Sequence, residues 1–289
     1  MSGQIMMQGS ARQTFSPRGG LVKTLAKMLL AVTLLIAGLV ALLLYNADSV
    51  LFQPHPSSYR DNAEILKITS ANGSKISAMY LFNPAARFTL LVSHGNAEDI
   101  GDDRDSNEEM RHAGFSVLAY DYQGYGTSQG KPGEQTAYED EVAAYDFLTT
   151  HLQVAPERII LLGRSVGSGP AVHLAARKPV AGMVLVSPFL SAFRTLTRVP
   201  LLPFDRFPNY KDIRRVHCPL LIVHGTRDTI IGFWHGQKLY ELANQPKQFL
   251  PVEGAGHNDL EMVAGPVYFN ALRDFAASIQ GRAFASDKR

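Results

Sequence analysis

Cysteine is almost missing from this 289-residue chain; Cys218 is the only one. A single cysteine excludes an intramolecular disulfide and any cysteine-built metal centre. It leaves the compartment open, because a protein without disulfides can live on either side of a membrane. Charge is thin as well. Charged residues make up 19% of the chain, below the roughly 25% of ordinary domains. The 46% of apolar residues supply a sizeable core and exclude a wholly disordered chain. Acidic residues are absent from residues 1–47, which carry Arg12, Arg18, Lys23 and Lys27. The net charge of +2 therefore divides into +4 on that segment and −2 on the remainder, where 24 basic residues face 26 acidic ones. A domain at −2 has no positive excess to offset phosphates, which argues against a nucleic-acid partner. No 20–50-residue repeat and no metal-binding spacing such as HExxH is present. Neither a metal nor a cofactor is expected.

The longest apolar run is Met28 to Tyr45, 18 residues without a charge. As a helix it is about 27 Å long, close to the roughly 30 Å of a hydrocarbon core. A buried helix of a soluble domain would carry a polar face, and this run has none. A cleaved signal peptide has a shorter apolar region followed by a small-x-small site. The best candidate site ends at Ala47 and puts Tyr45 where a small residue is needed. An uncleaved anchor over 28–45 fits best. The four basic residues precede it and Asp48 follows, so residues 1–27 are expected as a cytoplasmic basic tail and the bulk of the chain on the far side, periplasmic or extracytoplasmic. Residues 1–20 show no periodicity and read as disordered.

After a linker at 46–62, rich in Pro, Ser and Tyr, strand and helix patterns alternate. Glu64–Thr69 and Lys75–Phe82 flank the turn signal Ser70-Ala71-Asn72-Gly73-Ser74 and read as a hairpin. Further strands are expected at Phe88–Ser93, Phe115–Tyr120, Arg158–Leu162, Gly182–Val186, Leu220–Val223 and Gln248–Val252. Helices are expected at about Asp102–His112, Gln135–His151, Val166–Arg177, Trp234–Ala243 and Pro266–Gln280. Wholly apolar strands such as Ile159-Ile160-Leu161-Leu162 suit a parallel sheet covered on both faces. The fold class is α/β: a mostly parallel sheet flanked by helices over 63–280, preceded by one transmembrane helix. Residues 188–217 break the rhythm and read as a small insertion, and 281–289 as a tail.

The pattern Gly-x-Ser-x-Gly occurs twice, at Gly126-Thr127-Ser128-Gln129-Gly130 and at Gly163-Arg164-Ser165-Val166-Gly167. A nucleophile elbow needs a strand ending just before the serine and a helix starting just after it, with flanking glycines that let the two approach. Ser165 has that context, between Gly163 and Gly167. Ser128 lies in a polar glycine loop followed by Lys131-Pro132-Gly133 and reads as a loop residue.

A serine hydroxyl needs a base. His257 follows the last strand in Val252-Glu253-Gly254-Ala255-Gly256-His257-Asn258-Asp259, in the expected order after an acid. That acid is Asp228, at the end of the strand leading into His224-Gly225-Thr226-Arg227-Asp228. Asp259 reads as a cap of the next helix. His112 and His151 end helices, His173 is a helix residue, and His217 and His235 are expected at the surface or an edge. The oxyanion needs two N–H donors. Val166, after the nucleophile, supplies one. Asn96, in Ser93-His94-Gly95-Asn96-Ala97, supplies the other, with Gly95 turning the backbone and His94 holding the loop.

Together these strings, with His94 to Asp99 and Tyr120 to Gly126, resemble the α/β-hydrolase superfamily over roughly residues 60–280. They look like its bud-emergence-type branch, which includes membrane-associated bacterial hydrolases and eukaryotic acyl-protein thioesterases that remove palmitate from cysteine. The resemblance implies Ser165, Asp228 and His257 as a catalytic triad and a small-molecule, lipid or acyl-protein substrate. The acylated cysteine cluster at the amino terminus of the eukaryotic thioesterases is absent, and a hydrophobic span stands in its place. The expected function is a membrane-anchored serine hydrolase of esters or thioesters. A serine peptidase or aminopeptidase on the same fold, or an inactive binding protein, are the alternatives. No oligomeric state follows from the sequence.

Overall fold

A computed structural model describes residues 18–45, 47–195 and 205–286. The chain divides after Ala47 into two compact units. The first is built on one helix, α1 (Arg18–Tyr45). Its stretch Gly20–Ala41 is long and apolar enough to cross a membrane, at about 33 Å for 22 residues. Leucines stand exposed all round it, Leu21, Leu29 and Leu35 among them. Two polar groups in it are satisfied internally: the Thr24 and Thr33 hydroxyls donate to the carbonyls of Gly20 and Leu29, at 3.0 and 2.9 Å. The helix begins well before Met28. Nothing from Leu21 to Lys27 breaks a helix, and Leu, Ala and Lys favour one, so Arg18, Gly19 and Gly20 are helical where the sequence suggested disorder.

A short helix α2 (Ala47–Leu51) opens the second unit. An eight-stranded sheet follows, in the order β1-β2-β4-β3-β5-β6-β7-β8. The strands are β1 (Ile65–Thr69), β2 (Lys75–Leu81), β3 (Thr89–Ser93), β4 (Ser116–Tyr120), β5 (Ile159–Arg164), β6 (Gly182–Val186), β7 (Leu220–Gly225) and β8 (Lys247–Val252). The β1–β2 hairpin and the β2–β4 pair are antiparallel; every other pair is parallel. The α-helices within this unit are α3 (Arg104–His112), α4 (Glu134–Asp146), α5 (Ser168–Ala175), α6 (Asn209–Asp212), α7 (Trp234–Leu242), α8 (Leu260–Ala264) and α9 (Pro266–Ser286). A wider π turn carries α4 on to His151, and α9 runs past Gln280 into the expected tail.

Strand alternation sorts the core into two layers. Leu91, Leu118, Leu161, Met183 and Ile222 pack with Ala137 and Ala144 of α4, Val172 of α5 and Leu239 of α7. Leu90, Val117, Ile160, Val184 and Leu221 pack with Met110 of α3 and Tyr268, Leu272 and Phe275 of α9. Each fully buried side chain of this size stabilises by roughly 1.5–3 kcal/mol. Both faces are covered, which is why the central strands carry unbroken apolar runs, Leu90–Val92, Ile159–Leu162 and Met183–Val186. Cys218 is half-buried, and burial pushes its thiol up to about 12. His235, expected at the surface or an edge, is buried instead. Its Nδ1 accepts the Leu190 N–H at 3.2 Å, because α7 packs against the segment after β6. Residues 196–204 of the expected insertion lie outside the described residues; the rest of it forms short turns and α6.

The sheet order decides where a site can form. After β3 the chain steps to β4 on one side, then crosses to β5 on the other. Such a switch point leaves a crevice at the carboxyl ends of the strands. Parallel pairing aligns Ser93 with Gly163, so the loops after β3 and β5 leave the sheet side by side. At the neighbouring end, Gly225 of β7 aligns with Val252 of β8, which brings the loops holding Asp228 and His257 together.

Candidate active site

Ser165 sits at the abrupt turn from β5 into a short 3-10 turn and then α5. Its φ is +51°, a left-handed conformation that costs a non-glycine residue roughly 1–2 kcal/mol. Two glycines make the turn possible for reasons of space. A Cβ on Gly167 would run into the backbone oxygens of Ser93 and His94, and one on Gly163 would run into the backbone of Gly167. Gly167 itself has an ordinary φ of −62°; it is small because β3 passes against it.

The structure brings Ser165, His257 and Asp228 into one hydrogen-bonded chain. His257 Nε2 lies 3.0 Å from Ser165 Oγ, and His257 Nδ1 lies 2.7 Å from Asp228 Oδ2. Asp228 is fixed from behind: its Oδ1 accepts the N–H groups of Ile230 (3.0 Å) and Ile231 (2.7 Å). Burial alone would raise its carboxyl, but hydrogen bonds from His224 and His257 and the Ile231 N–H outweigh it and hold the group well below the usual carboxylate range. An ionised Asp228 facing Nδ1 selects the tautomer with its proton on Nδ1 and leaves Nε2 as the acceptor for the serine hydroxyl. His224 was quoted in the sequence without a role. Fully buried, it donates from Nε2 to the Ile231 carbonyl at 2.8 Å and braces the turn that carries Asp228. Asp259 stands at the N-cap position of α8 as expected, but its side chain is turned elsewhere. Its Oδ1 accepts the Gly256 N–H at 2.6 Å and tightens the His257 loop, with no side-chain cap on α8.

Asn96 and Val166 line the same cavity as Ser165 and His257. His94 is buried and neutral, its pKa lowered to about 4 by burial. Its Nδ1 donates to the Gly95 carbonyl at 2.7 Å, and the Tyr122 hydroxyl donates to its own carbonyl at 2.8 Å. Two further residues bear on this loop and were not singled out in the sequence. Glu98 Oε1 accepts the Gly95 N–H at 2.5 Å, and Glu98 Oε2 pairs with Arg164 at 2.7 Å. The Gly95 N–H is thus engaged, leaving Asn96 as the loop's candidate donor toward the cavity. The ion pair ties the loop after β3 to the residue just before Ser165. Burial raises the Glu98 carboxyl against the pull of Arg164, and burial together with Glu98 pushes Asp103 up to about 8. The available signal was Arg164 inside the Gly-x-Ser-x-Gly string and an acid three residues after Gly95.

The cavity measures about 510 Å³. Leu51, Phe189, Ala192, Ile230 and Ile231 give it an apolar side; Glu98, Arg164 and Asn258 give it a polar one.

Comparison with known proteins fits this architecture. Residues 84–203 match the family model described as serine aminopeptidase, S33. Human alpha/beta hydrolase domain-containing protein 17B is 38% identical over 227 residues, covering 77% of this chain and 78% of that protein. The chain belongs to the α/β-hydrolases and is a relative of the domain-containing 17 proteins. The 17C protein of Xenopus laevis is 40% identical over 220 residues, covering 74% of this α/β-hydrolase and 70% of its own length. Among solved structures, an esterase of Pyrococcus furiosus superposes with a TM-score of 0.68 at 20% identity, covering 78% of this α/β-hydrolase and 98% of the esterase. A monoacylglycerol lipase of Paleococcus ferrophilus superposes with a TM-score of 0.57 at 21% identity, covering 71% and 99%. Both share the fold of this α/β-hydrolase.

Proposed function

We propose that the protein is a membrane-anchored serine hydrolase that cleaves carboxylic esters or thioesters through an acyl-enzyme. The observation that carries this reading is the continuous chain from Ser165 Oγ through His257 to Asp228, at 3.0 and 2.7 Å. Ser165 Oγ attacks the substrate carbonyl carbon while its proton passes to His257 Nε2. The carbonyl oxygen becomes an oxyanion, held by the N–H groups of Asn96 and Val166. His257 returns the proton to the leaving alcohol or thiol as the bond to carbon breaks. Water, deprotonated by the same imidazole, attacks the acyl-enzyme and restores Ser165. Asp228 stabilises the imidazolium formed in each half. These steps need neither metal nor cofactor. The apolar side of the cavity, from Leu51 to Ile231, suits a lipid-like or protein-attached acyl group. The basic residues before the apolar helix favour a cytoplasmic amino terminus and a hydrolase domain on the opposite side.

The test is a panel of short and long acyl esters, acyl thioesters and aminoacyl amides, with fluorophosphonate labelling of the full-length protein. Esters or thioesters turned over and one serine labelled is the expected result. Turnover of amides alone would move the reading to the aminopeptidase in the matching family's description. Folded protein that resists the probe would end the hydrolase reading.

A further inference from the structure

The segment from Leu51 to Tyr59 reads in sequence as a linker, yet the fold uses it as a strap across the site. Phe52 is buried and meets Tyr122, Tyr125 and Phe207 edge-on, with ring centroids 5.9–6.4 Å apart. The next backbone N–H, that of Gln53, donates to the side-chain oxygen of Asn96 at 2.8 Å. The Tyr125 hydroxyl donates to the same oxygen at 2.6 Å. A backbone N–H can only donate, so this contact fixes which end of the Asn96 amide faces the strap. Farther on, the Ser58 N–H donates to Asp99 Oδ2 at 2.9 Å, the Ser58 hydroxyl donates to Asp99, and the Tyr59 hydroxyl donates to Asp121. Asp121 also accepts the Ile100 N–H at 2.8 Å. The strap thus grips the loop after β3 at both of its ends. It seats so closely that a Cβ on Gly101 would strike Ser58 and Tyr59.

We propose that residues 51–59 are a positioning element of the active site: Phe52 anchors the strap, and the Gln53 N–H sets the Asn96 side chain and with it the direction of the Asn96 N–H toward the oxyanion. This rests on the hydrolase reading above. The Asn96 loop is then held on one flank by the strap and on the other by Glu98. The chain leaving the apolar helix shapes the oxyanion site before it enters the sheet. Loosening the strap weakens binding of the tetrahedral state and spares the ground-state substrate.

The experiment uses the full-length protein in detergent, with kcat and KM on a soluble ester, affinity for an alkyl boronic acid that forms a tetrahedral adduct on serine, and the melting temperature. Asn96→Ala lowers kcat and boronate affinity together by about 10- to 100-fold, with KM within about twofold. Tyr125→Phe, which removes one of the two donors, falls between it and the wild type. Phe52→Ala, or Phe52→Leu should the first fail to fold, lowers kcat in the wild-type background and has almost no further effect on kcat in Asn96→Ala, since both act through one contact. Three outcomes overturn the proposal: a folded Asn96→Ala with unchanged kcat and boronate affinity, a Phe52 effect that multiplies independently of Asn96, or losses confined to KM. Full activity in Ser165→Ala would instead overturn the hydrolase reading itself.

Discussion

The chain presents the same five-residue pattern twice, and the two copies come to opposite ends. Ser128 is consumed by structure: its hydroxyl donates to the Asp121 carbonyl at 3.0 Å and accepts the Ser77 N–H at 2.8 Å, stitching a glycine loop to β2. Ser165 emerges from the central strand with φ at +51° and meets an imidazole. The glycines differ in purpose as well. Gly130 has a left-handed φ of +86°, and a Cβ there would meet only the Gln123 side chain, whereas at Gly167 the backbone of β3 itself passes where a Cβ would sit. A pattern of residue types acquires chemistry from the strand that delivers it.

The widest separation between the two copies is expected from removing each hydroxyl. Ser165→Ala should cost roughly 10⁶ in kcat and abolish fluorophosphonate labelling. Ser128→Ala should label fully, and lose about 1–3 kcal/mol of stability from the Ser77 N–H left without its partner. The reverse result in labelling would transfer the nucleophile to the other copy. Next in size is Asp228→Asn, for which kcat should fall about 10⁴-fold because the imidazole loses its tautomer-setting acceptor. A loss under tenfold, measured on the same ester, would remove Asp228 from the relay. Smaller again is the glycine contrast. Gly167→Ala should destabilise by about 1–3 kcal/mol through overpacking and slow the reaction. Gly130→Ala should cost about 1–2 kcal/mol through its backbone conformation and leave kcat alone. Denaturation and steady-state kinetics on both variants decide it, and equal kinetic effects would erase the distinction.

The last effect is a slope of stability against pH and leaves the rate alone. Glu141 lies fully buried on α4, and burial raises its carboxyl well above the usual range. The folded protein therefore keeps a proton that the unfolded chain releases above its ordinary carboxyl pKa. This group's contribution is full at acid pH and drains away as pH rises toward the folded-state pKa. Glu141→Gln should flatten the fall of stability as pH rises above the ordinary carboxyl range, by at most about 1.4 kcal/mol per pH unit. Parallel stability curves for the two proteins would show that Glu141 holds no such proton.

Much of this was legible in sequence where a strong local pattern coincided with its tertiary use. The apolar run Ile159–Leu162 marked the central strand because both faces are covered. The order Ser165, Asp228, His257 placed three side chains at strand ends that the sheet then brings into contact. Elements held by contacts distant in sequence were not legible. Phe52 and Tyr59 looked like linker residues because their partners, Tyr125 and Asp121, lie more than sixty positions away. Arg164 could not be paired with Glu98 before the β3–β5 register was known. His235 looked peripheral because Leu190, which donates to it, comes from a proline-rich segment with no periodicity. The Asp259 side chain turned back to Gly256 because the tight His257 loop left an N–H nearer than the helix it precedes.

Cys218 is half-buried, and burial pushes its thiol up to about 12, which makes the chain's one sulfhydryl a poor nucleophile at neutral pH. Any cysteine placed by design would then be the one that reacts. Substituted singly at an exposed position, such as Lys131 in the glycine loop or Met262 on α8, it would take up a membrane-impermeant maleimide from whichever aqueous phase it faces. A chain this poor in cysteine is in effect a blank sheet on which its own sidedness can be written, one chemical label at a time.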